Sequence, residues 1–177
     1  MANIDPFVDI LTVIDAQRLM DDHPDASPDT VSSLGSDPGE YVYMLVTRAE
    51  VIGIEAGYEL NVAVKTGDLV RWRATSLTRN TGLSTLLYHV ETHSSPLISP
   101  PASSLTRVTI PAAVGDDPSR RPTTQPYYDF FFQTTVQDPG SPGSHQVAYQ
   151  LYFMLLDEQG HTVGRFSWDP FLTISRS

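Results

Sequence analysis

Apolar residues in this chain come in short runs, and nearly every run is closed by proline, glycine or aspartate. That rhythm leaves no room for long helices and shows no alternation of strand with helix. It predicts an all-β fold, an antiparallel β-sandwich of jelly-roll or immunoglobulin-like type with one short helix. Strands are expected at 7–15, 41–47, 59–65, 69–76, 84–91, 105–110, 127–136, 146–156, 162–168 and 171–175. Turn signals separate them, among them "TGD" at 66–68, "DPGSPG" at 138–143 and "DEQG" at 157–160. In "FVDILTVID" (7–15) both alternating faces are largely apolar, which suits a strand covered on both sides. Asp15 then caps a short helix through Met20, because "AQRLM" holds good helix formers. No repeat and no interdomain linker interrupts residues 1–177, so one domain is expected.

Charge is concentrated at the start. Residues 1–40 carry nine acids against Arg18 alone, which places −8 of the net −10 there. An acidic chain without a basic stripe repels a phosphate backbone, so nucleic acid is not an expected partner. No run approaches the ~18 apolar residues that span a bilayer. The N-terminal stretch lacks the basic region of a secretory signal, which points to the cytoplasm, with export without a cleaved signal as the alternative.

The absence of cysteine excludes disulfides, thiolate metal sites and a thiol nucleophile. It decides the reading of "GDLVRWRATS" (67–76), a strand opening of the kind found in copper-binding β-proteins. A blue-copper site needs a thiolate, so Trp72 is expected in the core beside Val70 and Ala74. Arg71 and Arg73 point the other way and are expected to pair with carboxylates. In "HVETH" (89–93) the two histidines have helix-turn ligand spacing, but on a strand four residues advance about 13 Å, too far for one zinc. There is no Gly-x-Ser-x-Gly elbow, no Ser-x-x-Lys pair and no phosphate loop, and no catalytic residue is assigned. Trp168 is expected in the core beside Phe166. Pro170 should end the pairing of 162–168, with Asp169 extended before it.

Two loops are candidates for recognition. One is the acidic, proline-rich 21–40 stretch. The other is 111–126, where Asp116, Asp117, Arg120 and Arg121 offer both charge signs. Calcium is the one cofactor with a place here, through Asp116 and Asp117 or the acidic stretch, although neither matches the twelve-residue calcium loop. The aromatic runs "YYDFFF" (127–132) and "YQLYFMLL" (149–156) read as central strands. The alternative is an exposed platform for sugar rings or for self-association.

Three stretches taken together, "GDLVRWRATSL" (67–77), "LISPP" (97–101) and "GRFSWDPFLTI" (164–174), resemble the PixA/AidA family of bacterial inclusion-body proteins, and "VDILTVIDAQRLMDD" and "GEYVYML" fit as well. The resemblance runs along essentially the whole chain. It implies a small bacterial β-protein linked to crystalline inclusions, quorum-sensing-regulated expression and host association, with no catalytic residues to carry over. With 4 methionines the chain departs from methionine-rich storage members. The expected function is non-enzymatic, by binding and self-association as a homo-oligomer. The alternative is a lectin-like glycan-binding module with calcium as its candidate cofactor.

Overall fold

A computed structural model describes residues 7–35, 38–54, 56–92, 96–117 and 119–175. The chain is mostly β. Its strands are β1 (Phe7–Ile14), β2 (Val31–Ser33), β3 (Val42–Leu45), β4 (Val51–Ile52), β5 (Asn61–Lys65), β6 (Leu69–Ser76) and β7 (Ser84–Glu91). Then follow β8 (Ala102–Ala112), β9 (Thr123–Thr135), β10 (Ser144–Ala148), β11 (Gln150–Leu156), β12 (Thr162–Trp168) and β13 (Phe171–Ser175). The single α-helix among the described residues, α1 (Ala16–Asp22), begins where Asp15 accepts a hydrogen bond from the Arg18 backbone N–H at 3.2 Å. No described helix is long and apolar enough to cross a membrane.

The strands form three sheets, ordered β3-β1-β6-β9-β8, β10-β13-β5-β4 and β2-β12-β11-β7. None is purely antiparallel, which corrects the expectation from sequence. β1 runs parallel to β6, β12 to β2 and β13 to β5. Each parallel pair joins segments far apart in sequence, as parallel pairing requires, and no local pattern announces such partners.

The expected strand at 146–156 is two strands in two sheets. Its partner, 162–175, breaks opposite it at Asp169 and Pro170. Proline has no N–H to give a ladder, and here its carbonyl accepts from the Tyr149 N–H at 3.1 Å. The two breaks bend one long hairpin so that β11–β12 lies in one sheet and β10–β13 in another.

All three sheets contribute to one core. Ile10, Val70 and Trp72 enter from the five-stranded sheet, Val62, Leu172 and Ile174 from the sheet containing β5 and β13, and Phe153, Phe166 and Trp168 from the sheet containing β11 and β12. Trp72 is fully buried and meets the Tyr149 ring at 5.1 Å. Trp168 packs edge-on against Phe153 at 5.4 Å and donates its indole N–H to Met44 Sδ at 3.4 Å. The indole N–H of Trp72 and the hydroxyl of Tyr149 are buried without partners. Burial pushes the Tyr149 phenol up, and the neighbouring indole offsets only part of this, in a contact short of hydrogen-bond geometry.

β1 is covered on one side only. Val8, Ile10, Thr12 and Ile14 are buried, while Asp9 and Leu11 on the other face are exposed. The acidic stretch after α1 is held against the body through its described residues. β2 pairs with β12, Ala26 packs on the core, and Arg165 Nε donates to the Pro28 carbonyl at 2.5 Å.

Candidate functional site

The longest feature outside the core is the β8–β9 hairpin. β6 pairs with β9 only from Trp72↔Phe132 to Leu69↔Thr135. From Ser104↔Phe131 outward to Ala112↔Thr123 the ribbon is therefore two strands wide and about 27 Å long at the usual rise per residue. Its root is held to the body by Phe130 and the Arg73–Asp129 pair, and its outer part projects. The proposed 111–126 loop is thus strand at both ends, 111–112 and 123–126, and the described residues between them form the turn. Pro111 and Pro126 fit because the ribbon has a free edge on each side, where a missing donor is tolerated.

No residue of β8 is buried, and residues 123–128 are all exposed. Leu105 is 63% exposed, Tyr127 49% and Tyr128 61%. The aromatic run "YYDFFF" therefore divides: its tyrosines are on the arm, while Phe131 and Phe132 are buried at its root.

Asp116, Asp117, Arg120 and Arg121 lie in the tip of this arm, all exposed. Asp117 is engaged locally. Its carboxylate accepts from the Ser119 hydroxyl at 2.7 Å and backbone N–H at 2.9 Å, which hold it below the usual carboxylate range, and it faces Arg120 at 3.7 Å. That leaves Asp116 as the one unengaged carboxylate, a poor set for a cation that takes six to eight oxygens. No group of three or more His, Asp or Glu able to hold a metal occurs among the described residues. His89 is exposed on β7, whereas His93, the other member of the histidine pair, lies outside the described residues.

On the outer face of the five-stranded sheet, Arg71 and Arg73 find carboxylates. Arg71 clasps Asp9 through two bonds of 2.7 and 2.5 Å, and Arg73 clasps Asp129 through two of 2.8 Å and also reaches Asp9. The Arg71 guanidinium lies 3.8 Å from the Phe7 ring centre, and that of Arg73 lies 4.7 Å from Phe131. This explains how an outward-facing Phe131 is only 8% exposed. Burial alone would raise the Asp9 carboxyl. The hydrogen bonds and charges of Arg71 and Arg73 outweigh it and hold the group below its ordinary value.

A depressed carboxyl stabilises the fold above its unfolded pKa, about 3.9, and loses that contribution as the pH falls through the folded value. Asp9→Asn should therefore cost about 0.5–1 kcal/mol at pH 7, given the half-exposed carboxylate. Melting curves should show the gap to the parent closing below about pH 4. A gap that stays constant down to pH 2.5 would count against this linkage.

A third feature borders β7 and β11. An open cleft of about 1030 Å³ is lined by His89, Glu91, Ile98, Pro100, Pro101 and Gln137, among others. Beside it the Tyr152 hydroxyl has two acceptors for its one proton, Glu91 Oε2 at 2.9 Å and Gln150 Oε1 at 2.7 Å, and its ring lies 5.2 Å from His89 and 6.2 Å from Tyr88. Burial first, and the Glu91 carboxylate second, push the Tyr152 phenol up. The register shifts between Tyr152 and Phe153, which leaves Tyr88 unpaired and sets Tyr88 and His89 side by side. Sequence reading missed this group, because a bulge breaks the period-two rule that assigns faces.

The architecture defines a class: a mostly β protein with one short helix and three mixed sheets around a shared core, from which one long hairpin projects. Over residues 6–174 the sequence matches the family model PixA, described as inclusion body protein. The chain belongs to the PixA family of inclusion body proteins, and membership implies no catalytic function. Its fold is similar to the crystal structure of the PixA inclusion body protein from Burkholderia cenocepacia J2315, with 26% identity and a TM-score of 0.69. That match covers 96% of this chain and 95% of the other. A search of curated proteins finds no match.

Proposed function

We propose that this chain is a non-catalytic inclusion body protein that acts by associating with copies of itself, as a homo-oligomer built from one β-sandwich domain. The observation that carries this is the arm. An isolated two-stranded ribbon is marginal in water, and this one exposes Leu105, Tyr127 and Tyr128. Its eleven-residue edge strand β8 keeps an unbroken register with β9 without a bulge, and only Arg107 at its middle and Pro111 near its outer end interrupt that edge. Such an element gains stability when a partner covers it. Sedimentation velocity over a concentration series should give a mass rising above the 19.5 kDa of one chain. A mass of one chain at every concentration would overturn the reading.

A second reading, glycan binding, is supported by the tyrosine–glutamate group beside the β7 cleft rather than by the arm tip. Tyr88, His89 and Tyr152 supply ring faces, and Glu91 and Gln150 supply acceptors for sugar hydroxyls. A glycan array decides it, since binding by a monomeric protein that Tyr152→Ala abolishes would favour this reading over self-association.

A further inference from the structure

We infer that the arm of one copy docks on the acidic edge of a second copy at the far side of the same sheet, a head-to-tail contact that can repeat. This rests on the self-association reading above and names the surface that receives the arm.

The sheet order sets the geometry. β8 is one edge of the five-stranded sheet and β3 is the other. β3 is tied to the acidic segment. The Asp15 N–H donates to the Tyr41 carbonyl at 2.8 Å, and the Tyr41 hydroxyl donates to Asp22 at 2.9 Å. The helix and the turn after it therefore sit beside the edge opposite the arm.

Charge supplies the match. Between residues 102 and 128 three arginines and two aspartates give +1, against −10 for the whole chain, leaving −11 for the rest. On the body, Arg18, Arg71 and Arg73 each hold a carboxylate. On the arm, Arg107 and Arg121 are exposed with no carboxylate partner among the described residues, and Arg120 has only the 3.7 Å contact with Asp117. Asp21, on the helix beside that edge, and Asp25 and Asp29, on the segment that runs from the helix to β2 and is held against β12, are exposed and have no cationic partner among the described residues. The arm's three arginines outnumber its one unengaged carboxylate, Asp116, and complement the unpaired acids of the other surface between copies. Leu105, Tyr127 and Tyr128 supply the apolar area that charge alone lacks.

Because the contact joins two different patches, each copy keeps one free arm and one free acidic edge. Such an interface closes into a ring or extends as a filament, depending on the rotation between neighbours. A two-fold arm-to-arm contact would instead stop at a dimer and would set Arg107, Arg120 and Arg121 of both copies close together.

The test uses charge reversal and rescue, read by sedimentation velocity. Arg107→Glu, Arg120→Glu and Arg121→Glu together should weaken association at least about tenfold, and 0.5 M salt should weaken the parent similarly. All three positions are exposed, so the circular dichroism spectrum should not change. A second variant, Asp21→Lys with Asp25→Lys and Asp29→Lys, should also fail to associate alone. An equimolar mixture of the two variants should restore association. If the parent associates but arm reversal has no effect, or the mixture stays monomeric, the arm-to-edge contact is overturned while self-association stands. If the parent is monomeric throughout, both fall.

Discussion

Trp168→Ala should lower the free energy of unfolding by about 3–5 kcal/mol, and Trp72→Ala by about as much. Both indoles are essentially inaccessible, and each packs across elements distant in sequence. Trp168 on β12 meets Phe153 on β11 and reaches Met44 on β3, so its loss opens a void between two sheets. Trp72 on β6 packs on Tyr149, the residue at which the long hairpin changes sheet. In a chain of this size each kcal/mol moves the melting temperature by roughly 2–4 °C, so the loss is read directly in urea or thermal melts. Trp72→Phe should cost far less than Trp72→Ala, because it keeps a ring and removes a buried donor that has no partner. Alanine variants that melt with the parent would refute the assignment of these residues as core.

Gly164→Ala should destabilise the protein by about 1–3 kcal/mol through overpacking. A Cβ at this position would lie 2.9 Å from Phe166 Cε2 and 3.1 Å from Ala26 Cβ. Neither neighbour is free to yield. The Phe166 ring is buried and stacked on Phe153 at 5.5 Å, and the segment carrying Ala26 is anchored by Arg165 to the Pro28 carbonyl. The glycine thus sets how closely the acidic stretch approaches β12. Gly57→Ala is the control, since its nearest atom is 3.9 Å away and its backbone is not left-handed. Equal melting temperatures for the two alanine variants would show that the contact at Gly164 relaxes without cost.

Much of the local structure was legible before any coordinates. Asp15 reads as a helix cap because an aspartate before good helix formers can accept the free N–H groups of the first turn, and it does so. "LVRWRATS" reads as a strand with Trp72 on one face and two arginines on the other, and β6 has those bounds and faces. The inclusion-body family was legible as well, from three motifs spread over the chain, and the family model covers residues 6–174. These features depend on neighbours a few residues apart, where backbone geometry alone decides which way a side chain points.

What only the tertiary structure decided concerns partners distant in sequence. Arg71 was expected to pair with some carboxylate, but Asp9, 62 residues away, is selected by the parallel register of β1 on β6. The split of 146–156 between two sheets follows from Pro170 lying opposite Tyr149. The run "YYDFFF" is aromatic on both faces and reads as a central strand, yet Tyr127 and Tyr128 are exposed because β6 stops pairing with β9 at Trp72↔Phe132. A period-two pattern tells which side chains share a face, but not which strand lies alongside or where a neighbour ends. The entropy of closing a loop grows only slowly with its length, so near and distant partners compete on similar terms and packing of the whole chain chooses between them.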